Sequence, residues 1–135
     1  MAFFLHKLQS MRSIILLALL CSFSLCYMEW GGGQRATVGS IQWKILFVDR
    51  NPAAVLTHPL ILSGLLGQLI ILWSAVFPRT PAWATYAGIV LLAVVVLLVL
   101  LAGLLSGNAR MVMSAMPFLV LAGIHVYRTR NLRKP

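Results

Sequence analysis

The chain has 135 residues, 61% of them hydrophobic and only 10% charged, with a formal net charge of +9 at pH 7 and a mean hydropathy of +0.94. A soluble domain carries about a quarter charged residues, and at this length a single core leaves roughly a third of the unfolded surface exposed; the composition therefore excludes a water-soluble globule and makes a bilayer the solvent for most of the chain. The cations do not point to nucleic acid, because they stand singly or in short groups between apolar runs, as membrane proteins distribute them.

The first apolar run is SIILLALLCSFSLCYM, residues 13–28, preceded by Lys7, Arg12 and an amphipathic lead-in, FFLHKLQSM. It is short against the roughly 20 residues a helix needs to cross the hydrocarbon. A cleaved leader is the competing reading, favoured by the basic start, the apolar centre and the small residues near Ser22 to Cys26. Against it, no A-x-A cleavage site is present, and Leu20 and Leu25 precede the two cysteines where a lipoprotein signal needs a small residue. An uncleaved first helix is expected. Cys21 and Cys26 fit neither a CxxC pair nor a zinc knuckle and are expected to be buried as small apolar residues.

Residues 29–57 form an outer segment too polar to span, and they hold both acids of the chain, Glu29 and Asp49. Within residues 36–48 a helix groups Val38, Ile41, Ile45 and Val48 on one stripe, whereas a strand alternates Ile41, Trp43, Ile45 and Phe47 with Ser40, Gln42 and Lys44. Periodicity alone does not decide; a short interfacial helix with Trp43 at headgroup level is the preferred expectation. Glu29 follows the first span, where the helix dipole disfavours a carboxylate, so a base is expected beside it, Arg35 being the nearest in sequence. Gly31, Gly32 and Gly33 permit a sharp reversal, and residues 49–52, Asp-Arg-Asn-Pro, read as a turn back toward the second span. The candidate contacts of this segment are Glu29, Trp30, Arg35, Trp43, Asp49 and Arg50.

The second run, residues 58–77, opens with His58-Pro59, a helix start in which proline occupies the first turn. Ser63, Gln68 and Ser74 are its interior polar residues. The third run, residues 82–107, has no polar side chain from Ala87 to Leu105 and is expected to face lipid or an apolar partner. Ser63 with Gly67, Ala84 with Gly88, and Gly103 with Gly107 are small pairs that let helices approach closely, favouring contact along the second and third helices. The fourth run, residues 111–127, contains Pro117, expected to kink it, and is followed by the basic tail YRTRNLRKP.

With four crossings, Lys7, Arg12, Arg79, Arg128, Arg130, Arg133 and Lys134 share one side, while Arg35, Lys44, Arg50 and Arg110 share the other with both acids. The positive-inside rule then places both termini in the cytoplasm, with the protein multi-pass in the inner (plasma) membrane.

Glycine-rich phosphate loops, paired carboxylates and clustered metal ligands are absent from the sequence, and His58 and His125 fall at opposite ends of their spans, too far apart to share an iron. Small four-helix multidrug exporters are similar in size and hydropathy. That resemblance implies a glutamate deep in the first helix, where this chain has only Ser22, Ser24 and the cysteines. The expectation is an all-α integral membrane protein of four transmembrane helices, with an extracytoplasmic segment between the first and second. It is expected to be non-enzymatic and without cofactor: an accessory or structural subunit whose partners are the bilayer and either other membrane proteins or further copies of itself. A small oligomeric transporter or channel, with Ser63, Gln68 and Ser74 along the path, is the alternative.

Overall fold

The computed structural model describes residues 1–48, 50, 51, 53 and 57–132. In chain order its elements are α1 (Ala2–Ser24), β1 (Tyr27–Trp30), β2 (Gln34–Thr37), α2 (Val38–Phe47), α3 (Pro59–Val76), α4 (Ala82–Leu105) and α5 (Ala109–Asn131). Among the described residues the protein is helical apart from one hairpin and the connecting turns, and α1, α3, α4 and α5 are long and apolar enough to cross a membrane.

The first long helix begins further toward the N-terminus than the apolar run of residues 13–28 and ends before it does. The amphipathic lead-in contains no helix breaker, so it continues directly into the apolar run as one helix of 23 residues, about 35 Å long at 1.5 Å per residue. The helix closes at Leu25, whose N–H donates to the Cys21 carbonyl at 3.0 Å, and residues 27 and 28 belong to β1 instead. The cysteines part company: Cys26 is buried, but Cys21 is exposed, because the helical period turns it away from the core stripe of Leu16, Leu19 and Phe23.

Each later boundary has a local cause. His58 stands at the N-cap of α3 with Pro59 in the first turn, where a missing N–H leaves no bond unmade. The segment after Val76 holds Pro78 and Pro81, and Pro81 is the N-cap of α4. At the far end of α4, the Gly107 N–H donates to the Leu104 carbonyl at 3.3 Å and the Asn108 N–H to the Gly103 carbonyl at 2.8 Å. That is the Schellman arrangement, and Gly107 supplies the left-handed φ of +65° it requires. Asn108 then caps α5, its Oδ1 accepting from the amides of Arg110 at 3.1 Å and Met111 at 3.4 Å. Pro117 lies inside α5.

The four long helices form a ring in which α1 touches α3 and α5, and α4 touches α3 and α5. Leu16, Leu19 and Phe23 of α1 meet Ile71 of α3, Leu92 and Val96 of α4, and Ala115 and Phe118 of α5, all with no exposed surface. The third span is not simply a lipid-facing rod. One side of α4 buries Thr85, Gly88, Leu92, Val96 and Gly103, while Val90, Val94, Leu97 and Leu101 remain exposed on the other.

The small residues join helices of this chain to each other. A Cβ at Gly67 would stand 2.8 Å from Leu92 Cδ2 and 3.1 Å from the Gly88 carbonyl oxygen, and one at Gly88 would stand 2.9 Å from Ile70 Cγ2. Gly67 and Gly88 therefore set the approach of α3 to α4. Ser63 adds an Oγ bond to the Leu91 carbonyl at 3.1 Å. Toward the end of the ring where the chain starts, Ser13 Oγ donates to the Ala75 carbonyl at 2.8 Å, Thr85 Oγ1 to Ser74 Oγ at 3.1 Å, and Arg12 to Thr85 Oγ1 at 3.0 Å. The four tryptophans fall near the two ends, Trp73 and Trp83 at this one, Trp30 and Trp43 at the other, all exposed, as in the aromatic belts of membrane proteins.

If the glycine contact sets the α3–α4 spacing, Gly67→Ala will lower stability in mild detergent by about 1–3 kcal/mol, the usual cost of overpacking. Gly123→Ala, with nothing within 4 Å of its Cβ position, will be neutral or slightly stabilising. Equal thermal denaturation of the two variants would show that the spacing has another origin.

Candidate functional site

At the end of the ring away from the N-terminus, the segment between α1 and α3 folds back as a cap. Glycine makes the reversal: residues 31–33 form the turn, with φ of +85° at Gly32 and +73° at Gly33, values that side chains rarely adopt. The two strands pair antiparallel with Tyr27 opposite Thr37 and Glu29 opposite Arg35. Trp30 Nε1 donates to Gln34 Oε1 across the turn at 2.8 Å.

Thr37 and Ser40 then start α2 as a capping box. The Ser40 amide donates to Thr37 Oγ1 at 3.3 Å and the Thr37 amide to Ser40 Oγ at 3.2 Å. The helix expected over residues 36–48 thus forms, but from Val38, because residues 36 and 37 complete the hairpin. Val38 and Ile45 are its buried positions, while Trp43 and Phe47 stack with ring centroids 4.4 Å apart on the exposed side.

Two bonds anchor the cap to α5 and to the turn before it. The Tyr27 amide donates to Ser114 Oγ at 2.9 Å, fixing where β1 leaves the bundle. Asn108 Nδ2 donates to Glu29 Oε2 at 2.8 Å, and Tyr27 Oη donates to the same oxygen at 3.1 Å. The base expected beside Glu29 is present, since Arg35 stands opposite it in the hairpin, but the bonds to its carboxylate come from Asn108 and Tyr27. The helix ends at Ser24, so Glu29 does not feel its C-terminus closely, and its first partner is a neutral amide. Arg35 and Arg110 act on it only through their fields. Together these hold the Glu29 carboxyl below its ordinary value, the Asn108 bond contributing most, then Tyr27, then the two arginines.

Beneath the cap is a cavity of about 430 Å³. Phe23, Gly64, Val99 and Met111 form its floor; Met28, Trp30, Val38 and Ile41 close over it; Glu29, Gln42 and His58 supply its polar atoms. Such a space fits an apolar chain or ring with a polar group at the mouth. Among the described residues no three His, Cys, Asp or Glu side chains come together to hold a metal ion.

The residues singled out from sequence divide accordingly. Glu29 and Trp30 line the cavity. Arg35, Trp43 and Arg50 are exposed around it, and Asp49 lies outside the described residues. Ser63, Gly67 and Gln68 share α3 but face different neighbours. Ser63 and Gly67 meet α4, whereas Gln68 Nε2 reaches Ser24 Oγ of α1 at 3.5 Å. Asn108 and Ser114 were not picked out; the Ser-Gly-Asn break between two apolar runs marks Asn108 as a cap, but nothing local reveals that it holds Glu29.

Comparison with protein-family models, characterised proteins and solved structures returns no match for this chain. Its class rests on the fold itself: a helical protein with four helices long and apolar enough to cross a membrane, the make-up of a multi-pass membrane protein.

Because the folded Glu29 titrates lower than the unfolded one, its contribution to stability is fully present above about pH 4.5, the ordinary value, and is lost as pH falls through the depressed folded value below it. Thermal unfolding in detergent should show this acid limb in the native chain and lose it in Glu29→Gln. Asn108→Ala, which removes both the α5 cap and the Glu29 bond, should cost about 1 kcal/mol or more at neutral pH; an unchanged melting temperature would refute the anchoring role.

Proposed function

We propose that the protein is a non-enzymatic accessory or structural subunit of a larger membrane assembly, multi-pass in the inner (plasma) membrane with both termini cytoplasmic and the cap outside. The observation that carries this reading is how the polar groups of the long helices are used. Ser13, Ser63, Ser74, Thr85 and Ser114 bond to neighbouring elements or helix carbonyls, and among the described residues no buried side-chain nitrogen or oxygen lacks a partner. The middle of the ring is filled by Leu16, Ile71, Leu92, Val96 and Phe118. A water-filled path needs polar groups free to meet water along one face, and here Ser63 and Ser74 are bonded to α4 and Gln68 turns to α1. Partner proteins are offered the apolar outer surface of the helices and the cap with its exposed Trp43–Phe47 pair.

The orientation rests on charge. Lys7, Arg12, Arg79, Arg128 and Arg130 lie on the end of the ring that holds the N-terminus, without an acid among the described residues there, while Glu29 balances part of the charge at the capped end. Excess lysine and arginine marks the cytoplasmic side.

Extraction of a tagged chain in mild detergent, followed by sizing and mass spectrometry, should recover defined membrane-protein partners at fixed stoichiometry; a lone monomer or homo-oligomer would refute the subunit reading. In a background lacking Cys21 and Cys26, Gln68→Cys should resist water-soluble thiol reagents in native membranes. Ready labelling there would favour the oligomeric channel instead.

A further inference from the structure

A second cavity, of about 370 Å³, opens between α1, α4 and α5 at the end where the chain starts. Its polar wall carries Arg12 and Arg128 with Thr85 and Thr129, and Leu8 and Ile15 stand among its apolar residues. Both arginines are half-buried. Arg12 donates to two neutral oxygens, the Pro78 carbonyl at 3.3 Å and Thr85 Oγ1 at 3.0 Å, and among the described residues Arg128 reaches only Met11 Sδ, at 3.7 Å.

Among the described residues no carboxylate lines the cavity. The chain has two acidic side chains: Glu29 is bonded to Asn108 at the opposite end, and Asp49 lies outside the described residues, as do residues 133–135 with the C-terminal carboxylate. Two guanidinium groups that line one cavity and are drawn partly out of water repel, and desolvation adds to the cost unless an anion joins them. Guanidinium forks match phosphate oxygens well, and they are the donors the cavity offers, because the Thr129 and Thr85 hydroxyls already donate to the His125 carbonyl and to Ser74. The apolar wall beside the cations fits the glycerol and first acyl carbons of a lipid whose headgroup reaches the arginines. Basic pockets between membrane helices are a known setting for anionic headgroups.

We propose that this cavity binds a net-anionic phosphate group, held by Arg12 and Arg128. The phosphate can come from an anionic phospholipid or from a soluble phosphate, and the two sources are separable.

The test uses the full chain in nanodiscs of phosphatidylcholine, with phosphatidylglycerol or inorganic phosphate added in separate arms, read by thermal shift and by native mass spectrometry of retained lipid. Arg128→Gln is the main variant, since among the described residues its guanidinium bonds only the exposed Met11 sulfur, and its loss should leave the fold intact. Arg130→Gln is the charge-matched control outside the cavity. Phosphatidylglycerol is expected to raise the melting temperature and remain bound, with affinity about tenfold weaker in Arg128→Gln and unchanged in Arg130→Gln. If inorganic phosphate alone produces the Arg128-dependent shift, the site stands and its occupant is soluble. Absence of a shift with either phosphate, or equal binding by native and Arg128→Gln chains, overturns the proposal.

Discussion

Hydrocarbon supplies no hydrogen-bond partner, so a polar group carried into it must find one on the protein, and the arrangement of these helices follows from where the partners are. Ser13 reaches the carbonyl of Ala75, Ser63 that of Leu91, and Arg12 joins Thr85, which in turn joins Ser74. These bonds tie α1 to α3, α3 to α4 and α1 to α4 at fixed depths. They matter because apolar contact alone discriminates poorly among arrangements in lipid, where an exposed leucine is as well solvated as a buried one. Gly67 and Gly88 complete the constraint by letting two backbones approach where any side chain would collide with Leu92 or Ile70.

The cap is built on a different principle. Outside the hydrocarbon a strand pair is admissible, and a two-stranded hairpin is at best marginal alone. Here it is held from outside itself, by Ser114 on the Tyr27 amide and by Asn108 on Glu29, while its ladder runs one step further through the Val38 amide donating to the Cys26 carbonyl at 2.9 Å. Asn108 serves three neighbours: its amide closes α4, its Oδ1 opens α5, and its Nδ2 holds the carboxylate. A single residue thereby couples the turn between two spans to the position of the cap over its cavity.

The two ends of the bundle consequently differ in chemistry. The capped end encloses an apolar space with one carboxylate and one imidazole at its edge, and presents aromatic side chains outward. The opposite end encloses a cationic space rimmed by hydroxyls. A ring filled by apolar side chains, Phe23 and Phe118 among them, separates the two.

Much of this was legible in the sequence. Continuous apolar runs place the later spans to within a few residues, because no other element hides so long a run, and His58-Pro59 and the glycine triplet mark a helix start and a reversal by local stereochemistry. Residues 1–12 were less legible, since an amphipathic lead-in and a continuing helix have the same periodicity; the true end of α1 at Ser24 then moved Glu29 from a helix terminus to a strand. The pairing of Glu29 with Asn108, of Tyr27 with Ser114 and of Arg12 with Thr85 lies beyond sequence reasoning, because each joins residues on different elements whose relative rotation is set by packing. Composition and hydropathy by themselves determined that the chain belongs in a bilayer and roughly where it crosses, because transfer of apolar residues from water depends on residue type and run length. Only the tertiary structure decided which polar groups meet, and hence where the two cavities lie, because that depends on the faces the helices turn toward one another.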